Sequence, residues 1–423
     1  MTETNTNWAR NYVYRAAKLH RPTTIEQVQE LVSRSTKVKA LGSRHSFNDI
    51  ADSTGDLISL EHLNHVLELD QDRRTVTVEA GVRYGELGQW LHERGYALHN
   101  LASLPHISIV GACSTGTHGS GDQNGNLATV VSSMEMIKAD GEIIAFSREK
   151  NPEDFHGAVV GLGGMGLITK LTLDIIPTFQ IRQDVYENLP LTQLEDHFDE
   201  LSSSAYSVSL FTDWRNATFN QVWLKSLDSD ESSFNAEPTL SGATRATRRL
   251  HPIASISAEN CTEQMGIAGP WHERLPHFRM DFTPSSGEEL QSEYLIPRQY
   301  AFDVYKAIDG LRQHIVPLLQ ISEVRTIAAD SLWMSPCYHQ DSVAIHFTWK
   351  KDWAGVSQIL PILEDALAPF HARPHWGKLF TMHPSQLQSL YEKLPQFQEL
   401  LRLYDPEGKF RNPYLDKYIL GDA

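Results

Sequence analysis

The chain has 423 residues, 41% of them apolar and 21% charged, with a formal net charge of −16. Such usage excludes a disordered or fibrous chain, the acidic balance excludes the basic face that nucleic acid requires, and no uncharged apolar window approaches the roughly 18 residues that span a membrane. Its length exceeds what a single hydrophobic core fills, so two domains are expected.

Thr23-Thr24-Ile25-Glu26 carries a threonine cap and an early acid, followed by Val28, Leu31 and Val32 at helical spacing, and predicts a helix start. Val38 to Leu41 reads as a strand, giving a βαβ-like opening. Thr75 to Glu79 alternates with period two, as a half-buried strand does. Leu87 to Arg94 reads as a short helix stopped by Gly95. Val130 to Lys138 and Glu142 to Phe146 flank Ala139-Asp140-Gly141, a hairpin signal. Leu167 to Ile176 alternates again and ends at Pro177. From about Phe179 to Phe380 strands lengthen and aromatics become denser, while the polar stretch Asp228 to Arg249 reads as an exposed or poorly ordered loop. Beyond His383 two helical stretches are expected, Gln386 to Glu392 and Gln396 to Tyr404.

Three scattered cysteines, Cys113, Cys261 and Cys337, make no Cys-x-x-Cys pair, and no Cys/His cluster has ligand spacing despite 19 histidines. No disulfide framework and no metal are expected. The first residues lack a cationic stretch leading into an apolar core, so the expectation is a cytoplasmic protein.

Gly161-Leu162-Gly163-Gly164-Met165-Gly166 is a literal G-x-G-x-x-G. A dinucleotide site needs a helix after that run, because the phosphates sit on its N-terminus. Here an alternating strand follows, so a glycine turn is the reading. The run Gly111 to Gly121 differs. Its glycines alternate with Ser114, Thr115, Thr117 and Ser120, and backbone N–H groups beside hydroxyls suit a pyrophosphate or a flavin edge; a plain flexible loop is the alternative. His45 stands on another glycine turn, Leu41-Gly42-Ser43-Arg44-His45-Ser46, where contact with a ligand is a better reading than a purely structural imidazole.

On strands, residues two apart share a face. Glu323 and Arg325, His346 and Thr348, and Gln291 and Glu293 therefore pair on polar faces opposite apolar ones. Together with His375-Trp376-Gly377-Lys378 they point to a polar cavity, where carboxylate and guanidinium can grip vicinal hydroxyls as acceptor and donor.

The stretches LGSRHSF, NLASLPHIS, TGTHGSG, AYSVSLFTDWR, EVRTIAADSLW, HFTW and ARPHWGKLFT, with the long run from Asn260 to Leu295, resemble the alditol oxidases of the vanillyl-alcohol-oxidase flavoprotein superfamily. The resemblance implies an α+β, two-domain FAD-binding fold with an inserted cap domain built on an antiparallel sheet. Residues 1–178 would form the FAD domain, 179–380 the cap, and 381–423 a return to the FAD domain. It further implies FAD bonded covalently through His45. The cofactor would be contacted by Leu41, Gly42, Ser43, Arg44, Ser46, Phe47, Ser103, Ser108, Gly111, Thr115, Gly116, Thr117, His118, Ile168 and His375. Lys378 and His346 would act on the reacting hydroxyl, and Ser103, Gln291, Glu323, Arg325 and Thr348 would bind the rest of a linear polyol. The partners implied are a polyol such as xylitol or sorbitol and O₂, with a monomer as the working unit; an aldonolactone-type dehydrogenase is the alternative. Where the family usually has Gly-Ser-Gly-His-Ser, Arg44 replaces the second glycine, and an arginine resists φ > 0. Cys113 is expected to be a buried thiol.

Overall fold

The computed structural model describes residues 5–229, 239–281 and 288–421. Thr24 caps the helix Ile25–Arg34, its side chain accepting from Gln27 N, and the predicted Val28, Leu31 and Val32 form the buried stripe. The strands on either side, Lys18–His20 and Val38–Leu41, are parallel but not adjacent: Asp56–Ser59 lies between them and pairs with both. The second helix runs Tyr84–His92, one turn earlier than its apolar spacing indicated, because Glu86 reaches back to accept from Arg83 N. Gly95 ends it at φ +81°.

An antiparallel sheet of five strands follows, in the order Val66–Asp70, Thr75–Glu79, Leu167–Asp174, Val131–Ile137, Ile143–Ser147. The predicted hairpin forms its edge, with Lys138 N donating to Glu142 O across Gly141 at φ +89°. The G-x-G-x-x-G run is a turn that leads into Leu167–Asp174, as the alternation required. Its carbonyls at Leu162 and Gly163 accept from the buried Lys39 ammonium, at 3.2 and 2.9 Å.

Residues 180–374 supply a ten-stranded antiparallel sheet. Its centre runs from Gln180–Pro190 through Thr218–Leu227, Ser207–Thr212, Leu319–Ile327 and Ser342–Lys350 to Glu289–Pro297. Register places Glu293 opposite His346, His346 opposite Glu323, and Glu323 opposite Phe211. One row of side chains thus crosses four strands on one face. Of the polar stretch Asp228 to Arg249, residues 230–238 lie outside the described residues. The remainder is not wholly a loop: Thr239–Leu240 and Ala243–Arg245 pair with each other, and Ala243–Arg245 extends the large sheet.

The C-terminal helices are Pro384–Ser389 and Leu394–Tyr404, each starting at or beside a proline whose missing N–H costs nothing there. Beyond them the chain returns to the N-terminal sheets. Lys409 Nζ donates to Val32 O at 2.8 Å and to Ala139 O at 2.6 Å. The buried Asn412 amide donates to the carbonyls of Asp49, Ile50 and Asp52, and its oxygen accepts from Leu415 N. Asn412→Ala leaves these buried carbonyls short of donors. It should lower unfolding free energy by about 1–3 kcal/mol, measured by urea denaturation, with the greatest gain in hydrogen exchange in the segment 45–53.

Candidate active site

The strand Val38–Leu41 delivers the chain into the glycine turn, and Gly42 faces Gly111 of the second glycine loop. A Cβ at either position would stand 2.7 Å from Ser108 Oγ, so a side chain at either glycine would push that serine from its place between the loops. Ser108 N donates to Ser43 Oγ at 3.1 Å, while Ser108 Oγ is buried without a hydrogen-bond partner among the described residues.

Arg44 adopts φ +62°, the left-handed conformation the family's glycine would take freely. An arginine there costs about 1–2 kcal/mol, and neighbouring contacts enforce it. Trp8 N donates to Arg44 O at 2.8 Å, Asn7 Nδ2 to Ser46 O at 2.9 Å, Asn11 Nδ2 to Phe47 O at 2.8 Å, and Phe47 N to Gly377 O at 2.7 Å. The Trp8 indole stacks on the His45 ring, centroids 5.4 Å apart. Burial pushes His45 down to about 4, so its imidazole is neutral at physiological pH, and its Nδ1 is buried without a well-formed hydrogen bond among the described residues. Cys113, within the second glycine run, is buried, its thiol pushed up to about 12 by burial, and is inert.

The polar face of the large sheet closes over these loops. Glu293 is 1% exposed. It accepts from Arg325 Nη2 at 3.0 Å and from Lys378 Nζ at 2.7 Å, and His118 Nε2 lies 3.4 Å away. Burial alone would raise its pKa, but Lys378, His118 and Arg325 outweigh burial and hold it well below the usual carboxylate range. Glu323 likewise stays ionised: burial opposes it, and Arg325 and His277 prevail. Lys378 Nζ also lies 2.7 Å from His346 Nδ1, and His346 Nε2 lies 3.1 Å from Thr348 Oγ1. Burial, helped by the Lys378 charge, pushes His346 down to about 3. An ammonium only donates, so His346 accepts at Nδ1 and presents Nε2–H to Thr348. Burial lowers Lys378 while Glu293 pulls it back up. Arg325 Nη1 donates to Ser103 Oγ at 3.2 Å and so ties the sheet to the loop below it.

One cavity of about 570 Å³ joins the two glycine loops to this sheet face. All the residues predicted for cofactor and polyol line it except Gly116, which lies behind the second loop at φ +65° facing Pro336. Sequence reasoning noticed Glu293 beside Gln291 but gave it no role, although the same alternation put it on the cavity face. Trp8 and His277 were missed. Both sit in irregular segments without periodicity, and only the tertiary fold brings them to the site.

The segment 16–147 matches a family described as FAD binding domain, and 285–418 matches D-arabinono-1,4-lactone oxidase. An alditol oxidase from Streptomyces sp. (strain IKD472 / FERM P-14339) is 47% identical over 424 residues, covering 100% of both chains. The chain belongs to the alditol oxidase family of FAD flavoproteins. Further relatives include L-gulonolactone oxidase of Mus musculus, 27% identical with 97% of each chain covered. The fold is that of cholesterol oxidase from B. sterolicum, with TM-score 0.77, 15% identity, and 98% and 96% of the two chains covered.

What is present fits the flavin that this family takes. The glycine cradle admits a ligand at backbone distance, and Ser108 Oγ and His45 Nδ1, without hydrogen-bond partners among the described residues, are unsatisfied groups on its wall. Within the alditol oxidase frame, Glu293 is the hub of the charge pairing. Replacing it by glutamine should lower stability at neutral pH by about 3 kcal/mol, because buried cations lose their partner. A depressed carboxylate contributes stability above its unfolded value of about 4.3, and this is lost as pH falls through the folded value. Glu293→Gln should therefore also flatten the fall of the urea midpoint below about pH 4.5.

Proposed function

We propose that the protein oxidises the terminal primary hydroxyl of linear polyols such as xylitol and sorbitol to the aldose, with O₂ reduced to H₂O₂. The observation that carries this reading is the row Glu293–His346–Glu323 with Arg325, Lys378 and Thr348. These alternating donors and acceptors face one cavity with the flavin cradle. Residues 1–178 and 381–423 would form the flavin domain and 179–380 the cap. The returning Lys409 and Asn412 contacts and the continuous sheet over 180–374 support that division. Three buried free thiols suit a reducing cytoplasm, with a monomer as the working unit.

FAD, when bound, accepts the electron pair from the alcohol carbon and passes it to O₂. The chain's own residues position the polyol and handle the proton. Glu323 accepts from, and Arg325 donates to, hydroxyls further along the chain, with Gln291, Thr348 and Ser103 beside them, which fixes the end that reacts. The reacting hydroxyl meets Lys378 and His346. Burial lowers the lysine while Glu293 opposes that shift, and the Lys378–His346 pair, 2.7 Å apart, lies where it can hydrogen-bond the reacting hydroxyl and take up its proton. His45, neutral and with no hydrogen bond to Nδ1 among the described residues, would tether the flavin covalently.

A yellow protein that generates peroxide from xylitol or sorbitol in air is expected. Reduction of an added acceptor without oxygen uptake would favour an aldonolactone-type dehydrogenase instead. His45→Ala should abolish covalent attachment: the variant's band loses flavin fluorescence on a denaturing gel, and persistence of that fluorescence would refute the tether. Glu323→Gln weakens a buried hydroxyl acceptor and should raise KM for xylitol by about tenfold or more; unchanged steady-state constants would remove Glu323 from the polyol clamp.

A further inference from the structure

Glu323 needs a counter-charge of its own. Arg325 is divided between two carboxylates, hydrogen-bonding Glu293 at 3.0 Å while its Nε stands 3.4 Å from Glu323 Oε1 without hydrogen-bond geometry. Lys378 serves Glu293. The hydrogen bond to Glu323 comes instead from His277, whose Nε2 lies 2.7 Å from Oε1. Behind that imidazole stands Lys225, 1% exposed, its Nζ 3.0 Å from His277 Nδ1. The same Nζ donates to the carbonyls of Leu275 and Pro276.

The protonation pattern follows from donor and acceptor capacity. A carboxylate only accepts, so His277 Nε2 must carry hydrogen. The three acceptors around Lys225 Nζ, the carbonyls of Leu275 and Pro276 and the His277 Nδ1, match the three hydrogens of an ammonium, and in that state the pair bears one positive charge and aims Nε2–H at Glu323. Burial pushes His277 down to about 4 and Lys225 only to about 7, which puts the proton on the lysine.

Packing fixes this unit on both sides. The imidazole is edged by Phe211 and Trp223, with centroids 5.7 and 5.1 Å away. Its own backbone N donates to Ser103 O at 3.1 Å, so one short segment holds both the loop under the cavity and the carboxylate above it. With Oε1 engaged, no hydrogen bond from a described residue reaches Glu323 Oε2, which is left to accept from a ligand. We propose that Lys225 and His277 are positioning residues for the polyol site: a buried Lys–His relay that keeps Glu323 ionised and turns its second oxygen to the substrate hydroxyls. This rests on the polyol reading above.

The test is a cycle of variants on the flavin-loaded enzyme with xylitol. His277→Leu should raise KM about tenfold or more, as loss of a charge-assisted hydrogen bond requires, with kcat held within about threefold. His277→Gln, whose amide can accept from Lys225 and donate to Glu323, should stay within about threefold of the wild-type KM. In a Glu323→Gln background His277→Leu should change KM by less than about twofold, since the relay acts only through Glu323. Equal effects of the leucine and glutamine variants, additivity with Glu323→Gln, or an unchanged KM would each overturn the proposal. Should His277→Leu not fold, Lys225→Met takes its place in the same cycle, with about a threefold rise expected and additivity again decisive. If the wild type oxidises no polyol, the functional reading falls by itself. The cycle read as urea-unfolding midpoints then decides the relay, coupling between His277 and Glu323 supporting it and additivity overturning it.

Discussion

Two carboxylates almost wholly buried in the cavity wall must be balanced by donors and cations close by, and this constraint organises the whole cavity. Taking an ion out of water costs several kcal/mol, which only close and well-aligned partners offset. Glu293 and Glu323 sit on neighbouring positions of one cross-strand row, linked through His346. Arg325 can serve both only because it projects from the adjacent position on the same strand face as Glu323. The register of three strands is therefore an electrostatic requirement as well as a packing one: a one-residue slip would turn every charge into the apolar core.

The flavin cradle depends on a different constraint, control of a glycine turn by distant chain. Trp8, Asn7 and Asn11 hold it from the N-terminus, Gly377 holds it from the segment that carries His375 and Lys378, and Asn412 fastens the backbone just beyond it. These contacts explain how Arg44 is kept at φ +62°. Strain of that size persists where the surroundings over-determine the backbone. The turn's shape belongs to its neighbours more than to its own residues.

That distinction also marks what could be read in the sequence. Alternation foretold the faces of Glu323, Arg325, His346 and Thr348, since side-chain direction on a strand is a local property. The rejection of a dinucleotide fold at Gly161–Gly166 followed from the strand after it, again locally. Arg44 was expected to resist a left-handed turn, and it adopts one, because the compensating bonds come from residues 30 or more positions away. Glu293 was visible on its face but not as the hub, since its partners come from the glycine-loop segment, from the strand next but one in the sheet, and from the segment just after Arg373–Pro374. His277 carried no periodic signal, and part of the polar stretch ending at Arg249 proved to be sheet edge because Val185 and its neighbours offered it a partner strand.

The cavity uses one chemical device twice, with different ends. In each unit a buried lysine faces the Nδ1 of a histidine, which fixes where the Nε2 hydrogen points. For Lys225–His277 the target is a carboxylate, which only accepts, so the hydrogen on Nε2 is held there. For Lys378–His346 the target is the Thr348 hydroxyl, which can donate or accept by rotating. A unit whose far end tolerates either role can change its protonation without stranding a buried group; one that ends on a carboxylate cannot. On the proposed polyol reading, the two otherwise similar pairs would take opposite tasks, Lys378–His346 exchanging a proton with the substrate hydroxyl and Lys225–His277 holding Glu323 still while that exchange occurs.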